Sequence, residues 1–180
     1  MPTDAGGAAV VLDPDTIADG TDTLGVGTGD APPGTYVLVF GVDPGATIDV
    51  GALGTAEFPS GAYAYVGSAF GPSGLGRVDR HRRVAAGSHD VRHWHVDYLG
   101  GHAAASLDAV VAAPDADIEC RLAAALRDGV AGADSDGDAP LPGFGASDCD
   151  CPAHLVAGAN AGHLRGVAVD AVKNAAPRRR

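Results

Sequence analysis

Five side chains have the types and spacing that chemistry on a phosphate ester would use: Tyr36, Tyr65, Arg77, His81 and Glu119. Hydrolysis of a phosphodiester needs an activated water, neutralised phosphoryl oxygens and help for the departing oxygen. Glu119 is one of two glutamates in the chain, and its carboxylate is a hard ligand suited to a single Mg²⁺ or Mn²⁺. A first-turn glutamate favoured by a helix dipole is the plain alternative. Arg77 carries a planar guanidinium that pairs bidentately with non-bridging oxygens, as against a merely solvated helix arginine. Tyr36 is a candidate base, or a relay to water. A phenol of pKa about 10 serves near neutrality only where positive charge lowers it, and Arg77 and a metal are expected to do that. Tyr65 would orient phosphate or water. Strand packing is the alternative for both tyrosines and is the expected role of Tyr63. His81 stands one helical turn after Arg77 and has the side chain that titrates nearest neutrality.

The surrounding elements must bring these residues together. Tyr36-Val37-Leu38-Val39-Phe40 is a β-branched and aromatic run that reads as a buried strand ending at the Asp43-Pro44-Gly45 turn. Thr47 to Val50 alternates and reads as its hairpin partner, and residues 61–67 read as a third strand with Tyr63 and Tyr65 on one face. Gly67 and Ser68 are expected to turn the chain tightly beside the substrate. A turn at Pro72-Ser73-Gly74 leads to a helix over 75–84, with Arg77, Arg80, His81 and Val84 on one stripe. Residues 93–99 read as a strand, with His93, His95 and Asp97 sharing a face. A helix over 118–126 carries Glu119 near its start, and a modest one follows around 163–172. The fold class is therefore α/β: one compact domain with a small, mostly antiparallel sheet flanked by helices.

Charge divides the chain unevenly. Asp and Glu total 23 against 12 Lys and Arg, for a net charge of -11. Only Lys173 is a lysine, and most acids are aspartate, as a GC-rich, salt-adapted (halophilic) proteome would produce. Residues 1–32 are acidic and aperiodic and read as a disordered tail or linker. The core domain is expected over 33–165, with a helix or tail over 166–180. Asp134-Ser135-Asp136-Gly137-Asp138 reads as an acidic loop without the closing glutamate of a calcium site, and Arg178-Arg179-Arg180 as a basic end. Between Arg77 and His95, five arginines and four histidines face only two aspartates. Arg80, Arg82, His93 and His95 in this basic island are expected to face a nucleic-acid backbone. No run of about 18 apolar residues suggests a membrane span, and no signal peptide or disulfide framework is evident, so a cytoplasmic protein is expected.

Gly34-Thr35-Tyr36, Tyr65-Val66-Gly67, Arg77 with His81 four residues on, and Glu119 together resemble the GIY-YIG nuclease superfamily. The longer phrases Tyr65-Val66-Gly67-Ser68-Ala69, His93 to Leu99, Glu119-Cys120 and Phe144 to Cys149 look more narrowly like its archaeal Uri-type endonuclease family, known largely as a domain of unknown function. The resemblance runs from Gly34 to about Leu155. Two departures stand out: Thr35 replaces Ile, and the long gap between the tyrosines implies an inserted hairpin around 44–60. The resemblance implies one hydrated metal ion on Glu119, and endonuclease-type cleavage of nucleic acid in repair or processing. DNA is favoured over RNA. The alternative is a non-catalytic nucleic-acid-binding or adaptor module on the same fold. A weaker expectation concerns Cys149, Cys151 and His154, which could hold zinc with a fourth ligand such as His93 or His95.

Overall fold

Tyr36 to Phe40 form the middle of β2 (Gly34–Val42), buried on both faces in this computed structural model. β2 is the central strand of five, flanked by β5 (Gly61–Ala69) and β6 (Ala105–Pro114); β1 (Val10–Leu12) lies outside β6, and β7 (Leu155–Gly158) outside β5. Every adjacent pair is antiparallel, and the β2–β5 register sets Tyr36 opposite Gly67. The structure describes residues 8–131, 141–146 and 149–175.

Alternation along the strands divides the core in two. Tyr36, Leu38, Phe40, Tyr63 and Tyr65 share one core with residues of α2 (Arg77–Ala85) and α3 (His95–Gly100). Val37, Val39, Ala64 and Val66 share the other with α4 (Glu119–Ala131) and α5 (Ala161–Ala175). The expected α/β architecture, an antiparallel sheet between helices, is the one observed.

Several local expectations are corrected. Residues 95–100 of the stretch read as a strand are helical, as α3. The alternation across His93 to Asp97 is outweighed by Val96, Leu99 and Gly100, which are buried at helical spacing. The hairpin inserted around 44–60 exists, but β3 (Ala46–Asp49) pairs with β4 (Thr55–Phe58) and not with β2. It is anchored instead by burial of Ile48 and Phe58. Gly67 and Ser68 do not turn: β5 runs through both to Ala69. β6 has no counterpart among the expected strands, because its alanines have low strand propensity and are tolerated by burial.

The tail expected over 1–32 is also corrected where it is described. β1 pairs with β6, and Leu12, Ile17 and Val26 are buried. Its acids act as local acceptors: Asp13 caps α1 (Pro14–Ala18), and Asp22 receives the N–H groups of Val26 and Gly27. At the other end α5 continues past residue 165 to Ala175, burying Ala168, Ala171 and Val172. The Asp134–Asp138 run and Arg178–Arg180 lie outside the described residues. No described helix is long and apolar enough to cross a membrane.

Candidate active site

Tyr36, Tyr65, Arg77, His81 and Glu119, from four different elements, line one cavity of about 190 Å³. Ser68, Trp94, His93 and His95 complete much of its wall. The cavity's lining comes from the start of β2, the end of β5, the first turns of α2 and α4, and the entry to α3.

Tyr36 is deeply set, and its phenol oxygen lies 2.9 Å from His81 Nε2. The other ring nitrogen of His81 lies 3.4 Å from Asp97 Oδ1. Asp97 is buried and fully engaged. Arg80 donates two bonds to its carboxylate, at 3.0 and 2.9 Å, and the N–H groups of His93 and Trp94 donate to Oδ2. Burial alone would raise its pKa, but these bonds, with that to His81, outweigh it and hold the carboxyl well below its usual range. A carboxylate there assigns the proton of His81 to Nδ1 and leaves Nε2 to accept from Tyr36. Burial keeps His81 below the usual histidine value, only partly offset by Asp97.

Arg77 does act to lower the pKa of Tyr36, as expected, but the net shift runs the other way. Burial, reinforced by Tyr65, lifts the phenol well above its ordinary value, and the opposing influence of Arg77 is smaller. Burial lifts Tyr65 as well, with Glu119 adding to it. Burial thus favours the protonated form of both tyrosines.

Gly67 is required by Tyr36, not by a turn. A Cβ on Gly67 would stand 2.5 Å from the Tyr36 hydroxyl oxygen and ring, so only glycine lets the phenol cross β5. Gly145, at φ +71, plays a like part for Tyr65: a Cβ would come within 2.7 Å of that ring.

Arg77 is held from two sides. Nη1 donates to the Ser68 carbonyl at 2.9 Å, and the guanidinium sits 5.0 Å from the centre of the Trp94 ring. Arg80 approaches the same ring at 4.5 Å. A second groove, of about 310 Å³, continues from Arg77 and Trp94 past Arg80 and Arg83 over the Gly71–Gly74 turn. Arg82 lines neither space and pairs with Asp79 at 2.8 Å. His93 and His95 do line the cavity. Nδ1 of His95 is taken by the N–H of Gly145 at 2.9 Å.

Glu119 opens α4, and a residue on β2 fixes where that helix begins. The buried hydroxyl of Thr35 donates to the Ala116 carbonyl at 2.7 Å and accepts the Ile118 N–H at 3.2 Å. The Glu119 carboxylate is partly exposed, with Oε1 3.2 Å from His154 Nδ1. His154 Nε2 lies 3.3 Å from the Cys149 sulfur. The ligand atoms of Cys120, Cys149, Cys151 and His154 all lie within 4.8 Å of one another. The fourth member is thus Cys120, beside Glu119, and not His93 or His95.

Asp97, Trp94, Thr35 and Cys120 are the residues that sequence reasoning did not assign to the site. Helical spacing over Val96, Leu99 and Gly100 was the signal that could have placed Asp97 in a first helical turn. Thr35 and Cys120 stand in the motifs of the family resemblance but have no role there, because their partners lie far along the chain.

In comparison with known proteins, residues 35–176 match the family model described as "Domain of unknown function DUF123". No curated protein and no solved structure matches the chain.

Proposed function

The chain belongs to the DUF123 family, and for this member we propose metal-dependent hydrolysis of phosphodiesters in nucleic acid, by a site of the GIY-YIG nuclease type. The observation that carries the reading is the line Asp97–His81–Tyr36 ending in a cavity whose walls also present Arg77 and Glu119.

The burial that raises the pKa of Tyr36 favours a relay over a standing phenolate. Tyr36 passes its proton to His81 Nε2 as its oxygen takes one from the attacking water, and Asp97 steadies the imidazolium through Nδ1. The phenol never bears full charge. Arg80 fixes Asp97 and so fixes the ring. Arg77, anchored at Ser68 and against Trp94, offers its remaining donors to the non-bridging oxygens. Tyr65 orients phosphate or water beside it.

A divalent cation fits at Glu119. That carboxylate is hard, partly exposed and on the cavity wall, and no other carboxylate among the described residues lines the cavity. A single carboxylate and several waters suit Mg²⁺ or Mn²⁺. When bound, such an ion neutralises charge on the departing oxygen. The arginine-lined groove past Trp94 gives a strand its path despite the acidic whole, with phosphates on Arg80 and Arg83 and a base on the indole. DNA in repair or processing is the favoured substrate.

The test compares binding with cutting. The full chain in high salt with Mg²⁺ or Mn²⁺ should nick DNA, and Glu119→Ala should bind DNA but not nick it. Metal-independent binding without nicking, unchanged in Glu119→Ala, would establish a non-catalytic binding module instead.

A further inference from the structure

A cluster of metal-ligating side chains adjoins the cavity, and its donors differ in kind from Glu119. Cys120 lies in the first turn of α4, Cys149 and Cys151 in the loop ahead of β7, and His154 immediately before that strand. Their four ligand atoms fall within 4.8 Å of one another. A tetrahedral zinc with Zn–S of about 2.3 Å spaces its ligands roughly 3.8 Å apart, so closure needs movements of an ångström or less. The Cys149 sulfur and His154 Nε2 are already 3.3 Å apart. Three soft thiolates and an imidazole select zinc over Mg²⁺, which keeps the two ions apart by chemistry.

His154 supplies an independent observation. It is fully buried, and its Nδ1 has no hydrogen bond of good angle among the described residues, yet stands 3.2 Å from Glu119 Oε1. A histidine ligand commonly presents its second nitrogen to a carboxylate in this way. The arm that carries it is fixed on several sides. The His154 carbonyl receives the Val66 N–H, its own N–H reaches the Phe144 carbonyl, and Arg127 of α4 donates to the Ala153 carbonyl.

We propose that Cys120, Cys149, Cys151 and Nε2 of His154 bind a structural zinc ion that clamps this loop to α4 and, through His154 Nδ1, orients the Glu119 carboxylate. The zinc site stands on its donors alone, while the purpose of orienting Glu119 rests on the nuclease reading. Glu119 is thereby shared between the zinc-bound imidazole and the cavity that it lines.

The test uses the reduced full chain. Zinc content should be about one per chain after purification without chelator, the count for a closed Cys₃His site. Cobalt titrated into chelator-stripped protein should give thiolate charge-transfer absorption and tetrahedral visible bands. Cys120→Ser should lose that charge-transfer intensity in part and bind more weakly. Glu119→Gln should keep the spectrum type, with affinity lowered roughly 10–100-fold as for loss of an outer-shell partner. A stripped wild-type chain that gives no thiolate band overturns the zinc site, whether or not any variant folds. A Cys120→Ser chain with the wild-type spectrum overturns the ligand set, and an unchanged affinity in Glu119→Gln overturns the coupling. Since these readouts need no nucleic acid, a zinc-loaded chain that cuts nothing counts against the nuclease reading only.

Discussion

The Tyr36 phenol oxygen lies 2.9 Å from His81 Nε2, joining residues 45 positions apart in the chain. The contact depends on β2 carrying the phenol across Gly67 and on α2 presenting His81 one turn after Arg77. In the proposed mechanism it turns two groups that are weak bases by themselves into a proton path. Burial holds the histidine neutral at ordinary pH, with Nε2 free to receive the proton.

The pH profile should carry that signature. The pKa of His81 is lowered from about 6.5, so the neutral, working form persists below that pH. Cleavage should rise with pH along a limb whose midpoint lies below about 6.5 and then level off, until other groups titrate. His81→Ala should remove the limb along with roughly 10²–10⁴-fold of rate, measured across pH under single turnover. A midpoint well above that of ordinary histidine would contradict the assignment.

Asp97 should matter for stability as much as for rate. Its folded pKa lies below its unfolded one, so its contribution is complete above about pH 4 and is lost as pH falls from there toward the folded value. Asp97→Ala leaves Arg80 and His81 without their partner and should cost on the order of 3 kcal/mol at neutral pH. Denaturant midpoints across pH should also show a flatter acid dependence for the variant.

Thr35 ties β2 to the start of α4. Thr35→Val keeps the β-branched shape but loses both hydrogen bonds, leaving the Ile118 N–H buried and unmet, at about 1–3 kcal/mol. Metal-dependent cleavage should weaken further than the lost stability explains, because Glu119 follows directly. Thr35→Ser should restore most of both, as read by thermal unfolding and by the Mg²⁺ dependence of cutting.

Gly67→Ala should separate fold from function. The new methyl meets the Tyr36 ring and hydroxyl at 2.5 Å, and the ring must move. Such overpacking costs about 1–3 kcal/mol. The chain should remain folded by circular dichroism while cleavage falls sharply.

The strands and helices that hold the chemistry were legible because their signals are local. β2 and β5 announce themselves by β-branched and aromatic runs, and α4 by Leu122 and Leu126 at helical spacing. The convergence of Tyr36, Tyr65, Arg77, His81 and Glu119 on one cavity matches what their order along the chain implied. What escaped was set by distant partners. α3 begins where Asp97 folds back on the His93 and Trp94 N–H groups, and strand-like alternation hid it. β1 is three residues long and depends wholly on its pairing with β6. Cys120 joins Cys149, Cys151 and His154 only once α4 packs beside β7. The electrostatics of Tyr36 went the other way from expectation because burial, which spacing does not reveal, outweighs Arg77.

The most direct test is the single-turnover rate of DNA cleavage by the full chain in high salt with Mg²⁺ or Mn²⁺, beside Tyr36→Phe and Arg77→Ala. Tyr36→Phe keeps the buried ring and should stay folded, with a loss of about 1 kcal/mol. The account predicts cleavage by the wild-type chain, slower by roughly 10²-fold or more in each variant, since each removes a group that acts in the transition state. Absence of cleavage by the wild type, or variants that cut at its rate, would contradict it.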